Sequence, residues 1–194
     1  MITVIAPHPD DAELGASVFL GPGARILTVT GTGARMVEQV AAAVFAGLHV
    51  EGLHWPEGDV TADSRLVSAI EPWARESHAV LSPPTADTHQ DHRAVADAVR
   101  SALRRSPTAL LEYETPSATP SWEPNVFVPM TESDLARQQD MLARYTSQRE
   151  RAYFRPSWLR ARAEQHGFRI GTDYAQAFRL VTTGAVSTVL NSEA

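Results

Sequence analysis

The sequence predicts an α/β fold, a mostly parallel sheet with helices on both faces. Two features carry this expectation: short continuous apolar runs ended by Pro or Gly turns, and segments of helical periodicity between them. Alternation of this kind makes successive strands parallel, because each connection must cross back over the sheet.

Ile2–Ala6 is the first apolar run, closed by Pro7-His8-Pro9. A helix should follow from Asp10 or Asp11, whose carboxylates suit the unpaired N–H groups of a first turn, and extend to about Phe19. The run over 25–30 ends at Gly31-Thr32-Gly33, and 34–48 places apolar residues at 37, 40, 41, 44, 45 and 48, a helical stripe. A strand over 50–55, a helix over 64–76 and a strand at Ala79–Ser82, stopped by Pro83-Pro84, come next. Ala94, Val95, Ala98, Val99 and Leu103 mark another helix before the strand Ala109–Tyr113. With four prolines, 115–129 is expected to be an ordered surface loop. A helix over 131–145 with Thr131 or Ser133 as cap, a basic stretch over 149–162, and late strands at 168–170 and 177–181 complete the chain.

The 194 residues carry 17 basic and 23 acidic side chains, a net charge of −6, and no cysteine. One domain spanning residues 1–194 is expected, large enough to bury a substantial core. Without cysteine there is no disulfide, thiolate nucleophile, iron–sulfur cluster or thiolate-held zinc, so a metal would rest on His and carboxylates. The acidic balance speaks against a general nucleic-acid partner. No apolar stretch reaches about 18 residues and no basic leader opens the chain, so no membrane span and a cytoplasmic location are expected.

Two short segments concentrate the chemistry. His8-Pro9-Asp10-Asp11-Ala12-Glu13 lies where the first strand gives way to a helix, the end at which ligands gather in open α/β sheets. His8 and one carboxylate of the Asp10-Asp11 pair suit Zn²⁺, leaving the other carboxylate free as a general base. Asp87-Thr88-His89-Gln90-Asp91-His92 follows the fourth predicted strand and can bring a third ligand to the same edge; spacing does not choose between His89 and His92. Three of the seven histidines thus sit in two loops that should converge, which points to a metallohydrolase.

The stretch 6–15, followed by 87–95, resembles the LmbE-like family, the PIG-L-type N-deacetylases, which includes zinc-dependent enzymes that remove acetyl groups from N-acetylglucosamine units. Thr30-Gly31-Thr32-Gly33 is similar to the family's threonine-glycine turn, and Arg35-Met36-Val37-Glu38 to its Arg-x-x-Glu. Glu112-Tyr113-Glu114, Pro124-Asn125, Tyr145-Thr146-Ser147-Gln148 and the segment 174–178 extend the likeness. The resemblance implies a Rossmann-like fold and Zn²⁺ or another divalent metal held by His8, Asp11 and His92. It makes Asp10 the general base and His89 the group that stabilises the developing oxyanion, as an imidazolium favoured by pairing with Asp91. Two departures stand out: Gly15-Ala16-Ser17 where relatives carry a Gly-Gly pair, and Arg137 where a lysine is common.

Arg35 and Glu38 are expected either to form an ion pair on one helix face or to contact substrate. Trp55 and Trp122 are candidates for an apolar wall beside a sugar. The expected partner is a small N-acetylated amino sugar or glycoconjugate, with a homo-oligomer left open. The alternatives are another metallohydrolase or a catalytically silent carbohydrate-binding or structural protein.

Overall fold

A computed structural model of the chain describes residues 1–183. Its elements are β1 (Ile2–Ala6), α1 (Asp11–Gly15), β2 (Ala24–Thr30), α2 (Gly33–Ala46), β3 (His49–Trp55), α3 (Ser64–Arg75), β4 (Ala79–Ser82), α4 (Gln90–Ala102), β5 (Ala109–Tyr113), β6 (Val126–Met130), α5 (Glu132–Leu142), α6 (Pro156–Phe168) and β7 (Tyr174–Thr182). All seven strands form one sheet in the order β3-β2-β1-β4-β5-β7-β6. The first five run parallel, and β7 joins antiparallel to both β5 and β6.

Period-two alternation separates two apolar layers. Val4, Ile26 and Leu81 pack on one face with residues of α1, α5 and α6, while Ile5, Leu27 and Val80 pack on the other with α3 and α4. The result is the α/β architecture expected, Rossmann-like with helices on both faces. From β1 the chain builds outward through β2 and β3, then returns to lay β4 on the other side of β1. The connections after β1 and β4 therefore leave in opposite directions and open a crevice at their carboxyl ends.

Four details differ from the sequence expectation. Helix α1 stops at Gly15 rather than near Phe19, at a point where the chain passes close to β5: a Cβ at Gly15 would lie 2.3 Å from Tyr113 Cδ2. A separate 3-10 turn, Ser17–Phe19, follows. The expected loop over 115–129 ends in the strand β6, whose Pro129 is tolerated because β6 is an edge strand. Residues 168–170 end α6 and turn instead of forming a strand.

The fourth concerns α2. Its apolar stripe largely faces away from the core: Val37 is 69% and Val44 75% exposed, and Val40 and Phe45 are exposed as well. Gln39, Ala42 and Ala43 are the buried face. Small side chains bring the helix close to the sheet, and Gln39 Oε1 accepts the Thr28 hydroxyl at 2.7 Å. Among the described residues no helix is long and apolar enough to cross a membrane.

Helix α6 is pinned to the end of β5 by charge. Glu114 Oε2 accepts from Arg162 Nε at 2.8 Å and lies 2.6 Å from His166 Nε2, while Arg162 Nη2 donates to the Glu114 carbonyl at 2.9 Å. Burial pushes the Glu114 carboxyl up, but His166 and Arg162 outweigh it and hold it at about 2. A carboxyl lowered on folding contributes stability that is complete above its unfolded value near 4.5 and is lost as pH falls toward 2. We therefore expect Glu114→Gln to cost about 2 kcal/mol at pH 7, with the gap to wild type closing between pH 4.5 and 2. Urea unfolding across that range checks it, and a gap independent of pH would remove Glu114 as the source.

Candidate metal centre

β1 and β4 pair directly, Val4 opposite Leu81, so the residues that follow each strand emerge side by side. His8 comes two residues after β1. Asp10 and Asp11 follow at the start of α1, and His92 lies on the first turn of α4 behind β4. Three donor atoms from these segments meet. His8 Nδ1 lies 3.2 Å from Asp11 Oδ2 and 3.2 Å from His92 Nε2, and His92 Nε2 lies 3.3 Å from Asp11 Oδ2. Tetrahedral ligands at the 2.0–2.1 Å typical of zinc are about 3.3 Å apart, so the triangle is the size a tetrahedral cation requires. All three residues are buried.

The outer nitrogen of each imidazole is also assigned. His8 Nε2 lies 3.1 Å from Asp91 Oδ2, which also accepts the Gly58 N–H at 2.7 Å. His92 Nδ1 lies 2.8 Å from Asp87 Oδ2. Asp87 is itself fixed by the Thr115 hydroxyl at 2.5 Å and by the His89 N–H at 2.7 Å. Carboxylates behind ligating histidines set the tautomer and ring direction and raise ligand basicity.

The electrostatics favour positive charge at the centre of the triangle. Burial lowers the His92 and His8 imidazoles, yet Asp11, with Asp87 behind His92, outweighs it, raising His8 and bringing His92 to about 10. Burial raises the Asp11 carboxyl, but His92 and His8 hold it well below the usual carboxylate range. Two imidazoles and a carboxylate, buried and mutually spaced for tetrahedral contact, form a donor set that fits a divalent cation.

Asp10 is turned away from its neighbour. Its backbone sits at φ 101°, a left-handed conformation uncommon outside glycine. This sends the carboxylate toward α2, where Oδ2 accepts Arg35 Nη2 at 2.8 Å. Burial and the Asp11 charge raise Asp10 to about 8, against the pull of Arg35.

His89 stands beside the triangle, with its ring stacked on His92 at 4.8 Å and edge-on to His8 at 4.6 Å. Ring nitrogens of His8, His89 and His92 lie within 4.8 Å of one another, a looser grouping than the triangle above. The expected pairing of His89 with the Asp91 carboxylate is corrected here, since that carboxylate is engaged by His8. His89 Nδ1 instead accepts the Asp91 main-chain N–H at 3.2 Å, capping α4. Burial, with His8 and His92 nearby, lowers His89, and because Nδ1 accepts, the neutral ring carries its proton on Nε2.

Arg35 does not pair with Glu38. It reaches Asp10 and approaches Glu57 Oε1 at 3.6 Å. Both oxygens of Glu38 accept hydrogen bonds from Thr146 and Ser147. Trp55 packs half-buried against the apolar layer containing Ile5, Leu27 and Val80. Trp122 is buried within the segment after β5, which runs beside the second motif through Thr88 N–H to Ser117 O at 3.0 Å and Thr119 N–H to Ala86 O at 2.9 Å.

Sequence reasoning assigned no role to Asp87, Thr115 or Gly58. Asp87 was visible as an acid five residues before His92, but the helix start that folds it back is needed to see the bond. We expect Asp87→Asn to weaken zinc affinity about 10- to 100-fold while leaving the fold intact. Competition with a chromogenic chelator checks it, and unchanged affinity would show that Asp87 does not tune His92.

The chain is 34% identical over 149 residues to the uncharacterized deacetylase YaiS of Escherichia coli strain K12, covering 65% of this chain and 80% of that protein. Among solved structures it resembles N,N′-diacetylchitobiose deacetylase of Pyrococcus horikoshii, with TM-score 0.73 and 17% identity over 99% of this chain and 87% of the other. It also resembles the 4-carboxy-2-hydroxymuconate hydratase GalB of Pseudomonas putida, with TM-score 0.78 and 15% identity over 93% and 95%. Identities this low establish a shared fold only. No family model matches the chain. Ordered motifs, fold, a buried histidine–carboxylate cluster and the YaiS match agree, and the chain belongs to the LmbE-like/PIG-L deacetylase superfamily.

Proposed function

We propose that the protein is a zinc-dependent N-deacetylase that hydrolyses the acetamide of an N-acetylglucosamine-type amino sugar or conjugate. The observation that carries the reading is the triangle His8 Nδ1, Asp11 Oδ2 and His92 Nε2, with sides of 3.2 to 3.3 Å and the Asp10 carboxylate beside it. His8, Asp11 and His92 would hold the cation. A divalent ion so held supplies a lowered water pKa and polarisation of the acyl carbonyl.

The remaining chemistry falls to side chains. Asp10 accepts the proton of the attacking water; Arg35 on Oδ2 orients the carboxyl and leaves Oδ1 as the receiving oxygen. Once ionised, a carboxyl that burial has raised to about 8 binds that proton more readily than an exposed one. His89, with Nδ1 occupied by the Asp91 N–H, directs Nε2–H as a neutral donor to the developing oxyanion. Asp10 then returns its proton to the departing amine as the carbon–nitrogen bond breaks. This routing needs no imidazolium, consistent with the position of the Asp91 carboxylate on His8.

The test begins with metal-stripped protein reconstituted with zinc. Wild type should retain about one ion per chain, and H92A far less. Loaded wild type should release acetate from N-acetylglucosamine or N,N′-diacetylchitobiose. D10N should keep its zinc and lose about 10²- to 10⁴-fold in kcat. Near-normal turnover by zinc-loaded D10N would remove Asp10 as the base, and absence of zinc retention in wild type would overturn the metal site.

A further inference from the structure

Two family-like motifs of which only Arg35 has a role in the chemistry, Arg35-Met36-Val37-Glu38 and Tyr145-Thr146-Ser147-Gln148, meet in the structure. Thr146 Oγ1 donates to Glu38 Oε1 at 2.7 Å, the Ser147 N–H donates to the same oxygen at 2.9 Å, and Ser147 Oγ donates to Oε2 at 2.6 Å. The adjacent Tyr145 hydroxyl donates to Glu13 Oε1 on α1 at 2.8 Å. Three consecutive residues therefore grip two helices: α1, whose start carries Asp10 and Asp11, and α2, whose first turn carries Arg35.

The first turn of α2 has little else to hold it. Its N-cap, Thr32, makes no side-chain capping bond. Gly31 and Gly33 flank it at φ 111° and 63°, and residues 32–34 are exposed. Glu38 lies one turn along from Arg35, on the same side of the helix. Three hydrogen bonds converge there on one carboxylate, and Thr146 and Ser147 are exposed residues with no core to bury. The bonds fix the rotation and height of the turn that delivers the guanidinium to Asp10, 2.8 Å away.

We propose that Tyr145, Thr146 and Ser147, acting with Glu13 and Glu38, form a brace that sets the separation of α1 and α2 and so holds Arg35 on Asp10. Glu38 and residues 145–147 are then positioning residues, which assigns Glu38 to the brace rather than to the substrate. Catalytic groups displaced by about 1 Å lose on the order of 100-fold in rate, so a brace remote from the reacting atoms has a measurable kinetic effect. The activity arm of the following test rests on the deacetylase reading; the structural arm does not.

Glu38→Ala, and separately the surface double variant T146V/S147A, should speed amide hydrogen exchange in the first two turns of α2. A crystal structure of E38A should show Arg35 detached from Asp10. Zinc content should stay at the wild-type value. Turnover of N,N′-diacetylchitobiose should fall about 10- to 100-fold in kcat with little change in KM. R35A/E38A should be no worse than R35A, since both act through one contact. Glu38→Gln keeps an acceptor for Thr146 and for the Ser147 N–H, and should restore exchange protection and most of the turnover. The brace is overturned if E38A keeps the Arg35–Asp10 contact, or loses it with kcat unchanged. It is equally overturned if E38A and E38Q both raise KM, which would make Glu38 a substrate contact. If wild type hydrolyses no acetylated sugar, the deacetylase reading fails, and exchange and the E38A structure alone decide the brace.

Discussion

The parallel pairing of β1 with β4 is the constraint on which the functional edge depends. His8 and His92 are 84 residues apart, and they share a centre because these two strands are neighbours in register and both chains turn upward at the same edge. The reversal of chain direction between them leaves room above the strands for the loops rather than for a crossing connection. That room is lined by polar groups whose burial would be costly if they were unpaired. Most are paired: Asp91 Oδ2 with His8 and Gly58, Asp87 with His92 and Thr115, Asp10 with Arg35, while among the described residues Asp91 Oδ1 and Arg35 Nε have no partner. The crevice is thus a network in which His8 is shared by Asp11 and Asp91, and His92 by Asp11 and Asp87.

Within that network, adjacent residues acquire opposite properties. Asp10 and Asp11 are the same side chain one peptide apart, both buried, and their neighbours separate them. Asp11 faces two imidazoles and stays ionised; Asp10 faces the Asp11 charge and one guanidinium and is raised to about 8. Pairs of carboxyls driven apart in this way divide into a charge-bearing group and a proton-transferring one. The backbone makes the division possible. At φ 101° Asp10 turns its side chain off the line of Asp11, and aspartate tolerates this conformation better than most residues because its short polar chain bonds locally.

How much of this was legible in the sequence varies by kind. Strands β4 and β5 match their expected ends because Pro83-Pro84 and the polar residues after Tyr113 bound them sharply. The helical stripe of α2 gave the helix but pointed to the wrong face, since periodicity reports that apolar residues share a side and not what lies opposite that side. β6 was hidden by Pro129, whose meaning depends on whether a strand is at an edge. At the site, the histidines and aspartates of the two motifs stood out as residue types, but their spacing left Asp10 against Asp11 and His89 against His92 open, and only the family resemblance chose between them. Pairings did not stand out: Asp91 with His8 and Arg35 with Asp10 cross elements far apart in the chain, and nothing local distinguishes them from Asp91 with His89 or Arg35 with Glu38.

The short helix that begins the site shows where its rigidity originates. A five-residue helix is far below the length that holds itself in water, and α1 has no side-chain cap at its start. Its carbonyls are bonded from elsewhere: Gln138 Nε2 donates to Glu13 O and Leu14 O at 3.0 Å each, and Gln176 Nε2 to Leu14 O at 3.3 Å. Arg137 donates to Leu20 O and, at 2.9 Å, to Ser17 O, fixing the turn that follows. Arginine's planar fork suits two carbonyls at once better than the single ammonium of a lysine, which gives the departure at this position a physical sense. Gly15 allows α1 to lie against Tyr113 at a distance no Cβ would permit. The geometry of Asp10 and Asp11 is therefore set less by the motif that contains them than by α5 and β7, which lie more than a hundred residues further along the chain.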